Sequence, residues 1–533
     1  MQQLIIFISA AISYIVFYEH YPRPGWADAA IYSSYVITTD AYRYVDGFSA
    51  ALNGATYQHS RLGYIIPLRL LSDFFGPIRG RFIFNATLFF LYCIVAINFA
   101  TATIKNSKNR ALILVLLLFN PVIIISIISG GADGPATVFS TISLITLYFA
   151  FKNQNGFNFL HAGAWLGLAI ATHIFSLTPY FIAIISLGFL FLSGNSLDVL
   201  YFCLPKGVNR FKSCLKFSSL FFLGLTSIIF LLNFIGNQLG LQKFFLSYSI
   251  GRAQNSLQGS GGKFNQPVDF LIHNAVLWLG IVLFLCIALT SIFKQSQRTK
   301  NNYSETRLRI AIPNLLLPLL FVLFFDFYIG GSLIASPHYF SAFSPCFTIG
   351  VVALFSSFDN LKFSPIRFLA LVATVVLNFI LALFPYNNSA AFSFNEINSK
   401  SLLISQIDLK EATLRLIEDR IFNIVYSKTH VSSHGVYVDY FEGKKRNFDY
   451  MDTFAYTFPW VGDKMHRVDL REAGEFDFDV KRDVPTLVLS ASSDELDYML
   501  VLMRNSFNEH FVKAKQCGGH DAYKWCIAIV KYE

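Results

Sequence analysis

Carboxylates are scarce in the first 385 positions, which makes the side chains able to do chemistry easy to single out. There are eleven Asp and Glu, and Asp198, Glu305 and Asp359 fall in segments read below as inner loops. The other eight are Glu19, Asp28, Asp40, Asp46, Asp73, Asp133, Asp269 and Asp326. A carboxylate inside an apolar membrane span costs about 2.5–3.5 kcal/mol at the span centre, so a functional role is the first reading to test. Asp40 and Asp133 have the settings that best suit a general base or a substrate-positioning acid. Arg61 is the cation best placed to hold a phosphate bidentately, which Lys does less well.

Each of the three also has a plainer role open to it. Asp40 lies in TTDAYRYVDGFSAALNG, where Ala41, Val45, Phe48 and Leu52 recur at helical spacing. That pattern predicts a short amphipathic helix on a membrane surface, which Asp40 could simply cap. Arg61 opens a second apolar helix in QHSRLGYIIPLRLLSDFFG, ending at Gly76-Pro77, and could be an interfacial anchor. Arg69, Arg79 and Arg81 suit that anchoring role better. Asp133 sits among Gly130, Gly131, Gly134 and Pro135, a composition that predicts a tight outer turn in which a water-facing Asp is tolerated.

The elements that must carry these residues follow from composition. The 533-residue chain is 54% hydrophobic and 17% aromatic but only 14% charged, against about 25% charged in soluble domains. This excludes a single soluble domain and predicts a polytopic α-helical membrane protein. Apolar stretches near the ~20 residues needed to cross a bilayer lie at 4–18, 82–104, 111–128, 134–151, 159–175, 177–193, 217–235, 268–293, 310–329, 339–358 and 368–385. That is about eleven transmembrane helices, with 159–193 open to reading as one broken hairpin because of Pro179. The first, lacking a basic flank and a small-residue cleavage site, reads as an uncleaved signal anchor.

Charge sets the orientation. Residues 1–385 hold 24 Lys and Arg against 11 acids, whereas 386–533 hold 18 against 22. With a cytoplasmic N-terminus, 15 of those 24 basic residues fall in the five inner loops, which is the membrane-protein bias rather than a nucleic-acid footprint. The first outer loop, about 19–81, then carries Asp40 and Arg61. The odd span count puts residues 386–533 on the outer side, a bacterial inner or plasma membrane being the expected setting.

From residue 386 the composition is that of a soluble domain. A helical stretch at 402–423, alternating segments at 434–441 and 485–490, an apolar-periodic run at 494–508 and a final strand at 526–532 predict a small C-terminal α/β extracytoplasmic domain. Its two cysteines, Cys517 and Cys526, are disulfide candidates in an oxidising compartment. His520, three residues after Cys517, leaves a zinc site as the other reading, and free thiols as a third.

With these residues in place, the chain resembles the multi-spanning GT-C glycosyltransferases, the superfamily that includes protein O-mannosyltransferases and the aminoarabinose transferase of lipid A. Asp40 in a long first outer loop, Arg61 before a Gly-Tyr…Pro helix, the GGADGP segment and SPHYFSAFSP at 336–345 carry the resemblance. It implies transfer of a sugar from a polyprenyl-phosphate donor to an acceptor on the outer face. Asp40 would be the general base of an inverting reaction, Arg61 would bind the donor phosphate, and Asp133 would be the second acidic residue, positioning acceptor or sugar. Arg252, His338 and Tyr339 would be further contacts near the phosphate. Many relatives pair two acids at the first-loop site, whereas Ala41 follows Asp40 here. One carboxylate is a poor Mg²⁺ or Mn²⁺ cage, so metal-independent transfer without a cofactor is expected. Two other functions fit the same composition: a flippase or transporter of lipid-linked sugars, and a polymerase or ligase of lipid-linked glycans. A transporter more often shows internal repeats, and none is found.

Overall fold

The computed structural model describes residues 2–20, 32, 35–36, 59–128, 131–190, 210–241, 243–251, 310–318, 320–321, 341–357, 399–416, 423–427, 436–439, 444–447, 464–468, 485–507, 510–520 and 523–532. The described chain is mostly helical. Among the described residues three helices are long and apolar enough to cross a membrane: Pro77–Thr103, Asp133–Asn153 and the Leu215–Leu239 part of a longer helix.

The helices follow in order: α1 (Gln2–His20), α2 (Leu62–Phe75), α3 (Pro77–Thr103), α4 (Ser107–Leu118), α5 (Pro121–Ile128), α6 (Asp133–Asn153), α7 (Gly156–Thr172), α8 (Thr178–Leu190), α9 (Arg210–Leu239) and α10 (Ser344–Ser357). Helix α1 shows how apolar sequence becomes a lipid-facing element. Leu4, Ile5, Ile8, Ile12 and Ile15 share one face and stay exposed, while Ala10 and Tyr14 are buried and Tyr14 stacks on Phe89 of α3 at 4.7 Å. A continuous exposed apolar face of this kind belongs against lipid or a partner rather than water.

The 111–128 stretch expected as one span is broken. Helix α4 stops at Leu118, and α5 starts at Pro121 with the Asn120 carbonyl accepting from Ile124 N–H at 3.1 Å. Proline disfavours helical backbone at the residue before it and suits a first helical turn, so Asn120-Pro121 makes a joint. The 159–193 stretch is also broken: α7 ends at Thr172, a 3-10 turn spans Ile174–Leu177, and α8 begins at Thr178 with Pro179 in its first turn.

Helix α6 is the hub, with 13 of its residues buried against α3, α5, α7 and α10. It turns into α7 through Gln154, whose φ of 51° is left-handed, and Asn155, whose side chain caps α7 by accepting from Phe157 N–H at 3.0 Å. Helices α7 and α9 pack closely because a methyl on Gly163 would overlap the Phe221 carbonyl, and one on Gly224 the Leu160 carbonyl. Small residues spaced four apart, Gly163 and Gly167, are how membrane helices bring backbones together.

The C-terminal residues form α11 (Ser399–Leu416), α12 (Ser493–Phe507) and seven strands: β1 (Asn423–Ser427), β2 (Val436–Asp439), β3 (Lys444–Asn447), β4 (Lys464–Val468), β5 (Thr486–Ser490), β6 (His510–His520) and β7 (Tyr523–Tyr532). Five of them make one sheet in the order β4-β1-β5-β7-β6, with β4, β1 and β5 parallel and β7 antiparallel to both neighbours. Central β5 is buried on both faces. Val425, Val488, Cys526, Ala528 and Val530 pack on Leu496, Met499 and Met503 of α12, while α11 packs against β6 and β7. Strand β1 begins at Asn423, the residue to which the sequence pattern carries a helix from 402, and the described helix α11 runs from Ser399 to Leu416.

Candidate functional site

The site grows from the joint between α7 and α8. His173 leaves the helix in an extended conformation (φ −156°, ψ 124°) with its N–H still bonded to the Ala169 carbonyl at 2.8 Å. Its Nδ1 accepts from Phe175 N–H at 3.1 Å, so the ring caps the following 3-10 turn. Its Nε2 then lies 3.3 Å from Oδ1 of Asp133.

Asp133 is the first residue of α6, following Ala132 at the N-cap, at the end of the short connection from α5 in which Gly130 and Gly131 lie. Gly134 explains the placement. A methyl there would overlap the Ser126 carbonyl, so glycine lets the start of α6 close against α5. A carboxylate in a first helical turn is stabilised by the positive end of the helix dipole.

Arg61 reaches the same joint from the other side. It precedes α2, where the N–H groups of Tyr64 and Ile65 each donate to its carbonyl at 3.0 Å. Its guanidinium Nη1 donates to the Thr172 carbonyl at 3.1 Å, and the side chain is buried. The approach depends on Gly63, whose added methyl would lie 2.5 Å from Thr172 Oγ1 and 2.6 Å from the Leu168 carbonyl oxygen. Consecutive residues Thr172 and His173 therefore hold Arg61 and Asp133.

Two further segments are drawn in. Thr137 Oγ1 donates to Ser341 Oγ at 2.9 Å, tying α6 to the described end of SPHYFSAFSP. Ser60 and Ser249 hydroxyls share a 2.7 Å hydrogen bond, and His59 meets Tyr248 edge-on at 4.4 Å, tying Arg61's neighbours to helical residues 245–251. His59 precedes α2, outside the three long apolar helices, and burial lowers its pKa from 6.5 to about 3. Between α1 and α2, the Val36 carbonyl accepts from Arg69 Nη1, and Tyr32 packs edge-on against Tyr64. Arg69, suggested by the sequence as an interfacial anchor, also pairs with Asp73 at 2.8 Å.

A cavity of about 20 Å³ opens beside Asp133, lined by Thr137, Ser140, His173, Ser176 and Thr178 on the polar side and by Phe175, Phe321 and Phe343 on the apolar side. Among the described residues no three His, Cys, Asp or Glu side chains gather as a metal cluster.

Of the residues singled out from sequence, Arg61 and Asp133 are brought to one joint. Asp40, Arg252, His338 and Tyr339 lie outside the described residues. Cys517 and Cys526 face each other across β6 and β7 and are joined by a disulfide, which leaves no thiolate there for zinc. The sequence reading missed His173 and Ser176. The available signal was an ionisable side chain at the end of an apolar stretch, which was read only as a helix break.

The chain matches no family model, no curated protein and no solved structure.

Proposed function

We propose that the protein is a membrane glycosyltransferase of GT-C type, moving a sugar from a polyprenyl-phosphate donor to an acceptor on the outer face. The observation that carries the proposal is the Thr172-His173 joint. It gives Arg61 and Asp133, the proposed phosphate ligand and second acid, partners on adjacent residues, the Thr172 carbonyl and the His173 ring, despite their distance in sequence. The described ends of the segments holding Arg252 and His338-Tyr339 bond to the same neighbourhood through Ser249 and Ser341.

In this reading Asp40 is the general base that takes the acceptor hydroxyl proton, and the acceptor oxygen attacks the anomeric carbon with inversion as the polyprenyl phosphate departs. Arg61 donates to the phosphate and stabilises the charge growing on it. Asp133 positions the acceptor or the sugar. Transfer needs no divalent metal. About eleven spans, a cytoplasmic N-terminus and an extracytoplasmic domain at 386–533 complete the arrangement, in a membrane such as the bacterial inner membrane.

The test is transfer by purified, reconstituted protein supplied with radiolabelled polyprenyl-phosphate monosaccharides, with Asp40→Asn and Arg61→Ala beside the wild type. Wild-type transfer lost in Asp40→Asn at unchanged thermal stability supports the proposal. Near-normal transfer by Asp40→Asn removes the base assignment. Labelled lipid that crosses the bilayer without being consumed replaces the enzyme with a flippase, and chain-length growth of a lipid-linked glycan replaces it with a polymerase.

A further inference from the structure

Ser176 has a backbone that is fully engaged and a hydroxyl that is not. Its N–H donates to the His173 carbonyl at 3.0 Å, and its carbonyl accepts from Ser140 Oγ at 3.3 Å. The side chain is 3% exposed and lines the cavity beside Asp133, yet its Oγ has no hydrogen-bond partner among the described residues. A buried hydroxyl left unmatched costs roughly 1–3 kcal/mol, and folded proteins normally meet such a group with water or a ligand. A cavity of about 20 Å³ has room for a water or a hydroxyl group.

We propose that this cavity is a single-hydroxyl subsite, in which Ser176 Oγ and Asp133 hold one oxygen that carries a proton, and His173 is the positioning residue that sets the carboxylate. The tautomer follows from the hydrogen bonds. A backbone N–H can only donate, so His173 Nδ1 is the acceptor toward Phe175 and the ring proton of the neutral imidazole is on Nε2. That N–H faces Asp133 Oδ1 at 3.3 Å. With this donor and the start of α6 both favouring its anionic form, Asp133 only accepts. A group that meets Asp133 in the cavity therefore brings a proton, which a hydroxyl or water does and a phosphate diester or carbonyl oxygen does not. Ser176, with both a donor and acceptor capacity, completes the shell. Phe175 and Phe343 close the apolar side. The occupant is either an ordered water or a hydroxyl of the sugar or acceptor. The second case rests on the glycosyltransferase reading.

The experiment compares the full-length wild type with Ser176→Ala in thermal unfolding and in transfer from radiolabelled polyprenyl-phosphate monosaccharides. A structural water held by Ser176 gives a lower Tm for Ser176→Ala, because the water loses a partner. A substrate hydroxyl gives an unchanged or higher Tm, because an unmatched hydroxyl is removed from the empty site. In that case KM rises about 3- to 10-fold, the effect of one neutral hydrogen bond, with kcat within about twofold. An unchanged or higher Tm with an unchanged KM overturns the subsite. If the wild type transfers no sugar, the glycosyltransferase reading fails and the Tm alone decides the subsite, a lower value supporting it and any other overturning it. The role of His173 has its own readout. In protein labelled with ¹⁵N-histidine, the signal lost in His173→Gln shows a bare Nδ1 and a protonated Nε2, and the opposite tautomer overturns that role.

Discussion

Nε2 of His173 lies 3.3 Å from Oδ1 of Asp133, joining the end of α7 to the start of α6 by a side-chain contact at a place where both backbones change direction. The two side chains act as one unit, since each sets the other's orientation. Truncating either one therefore removes the same interaction. For the proposed transfer, Asp133→Asn and His173→Leu are each expected to lower kcat/KM by about 10- to 100-fold, the scale of one charge-assisted hydrogen bond. The double variant should be no worse than the poorer single one. Losses that multiply in a double-mutant cycle would show that the residues work independently.

Arg61 and Gly63 lead to a second prediction, in which chemistry and packing separate. One guanidinium N–H of Arg61 donates to the Thr172 carbonyl, and a planar guanidinium can hold a backbone carbonyl and a phosphate at once. Lys in its place holds one partner at a time, so Arg61→Lys should raise KM for the lipid-phosphate donor about 10-fold while shifting Tm by only a few degrees. Gly63→Ala should behave in the opposite way. Its methyl would press on the Leu168 carbonyl at 2.6 Å, a backbone atom that cannot swing aside. Overpacking of this kind costs about 1–3 kcal/mol, readable as a lower Tm in detergent. Equal Tm for Gly63→Ala and wild type would mean that α2 and α7 are not in close contact.

Local patterns in the sequence located some of this site and could not reach the rest. Arg61 was legible as the start of a helix ending at Gly76, because proline and glycine punctuate helices locally, and Gly76 ends α2 with φ 81°. The Asn120-Pro121 break is as local a signal, set in the apolar stretch 111–128. For Asp133, the surrounding glycines have a tertiary cause: Gly134 permits the approach of Ser126, and nothing in a single sequence tells that use from a turn. His173 was passed over because its meaning lies in a partner 40 positions away. Periodicity reports which face of a helix is apolar, not which loop that face will meet.

The disulfide between Cys517 and Cys526 leads to a prediction that is independent of the site. It closes a short loop with a sequence separation of 9 across paired strands. Loop-closure entropy for that length is worth about 2.5 kcal/mol. Cys517→Ser with Cys526→Ser should therefore lower the stability of the C-terminal sheet by that order. The loss is measured by urea unfolding followed at Trp525, which is buried beside the bond. The glycosyl transfer proposed for the membrane part should be unchanged at temperatures where the sheet stays folded. Thiol alkylation of the non-reduced, denatured chain should leave both cysteines unlabelled, and labelling of either would remove the bond.

His59 makes stability depend on pH in a direction that can be worked out. It is fully buried, and burial alone lowers its pKa from 6.5 to about 3. Between those values the unfolded chain carries a proton on this side chain that the folded protein does not, so acid favours unfolding. The folded state has its full stability above about pH 6.5 and loses it progressively as pH falls toward 3. At pH 5 the loss from this one group is about 2 kcal/mol relative to pH 7.5, at about 1.4 kcal/mol per pH unit. His59→Phe keeps an aromatic ring against Tyr248, whose edge-on contact is 4.4 Å, and has no proton to gain. The Tm difference between wild type and His59→Phe should therefore shift in favour of the variant as pH falls from 7.5 to 5. Parallel Tm curves across that range would mean that His59 takes up its proton in the folded state as readily as in the unfolded one.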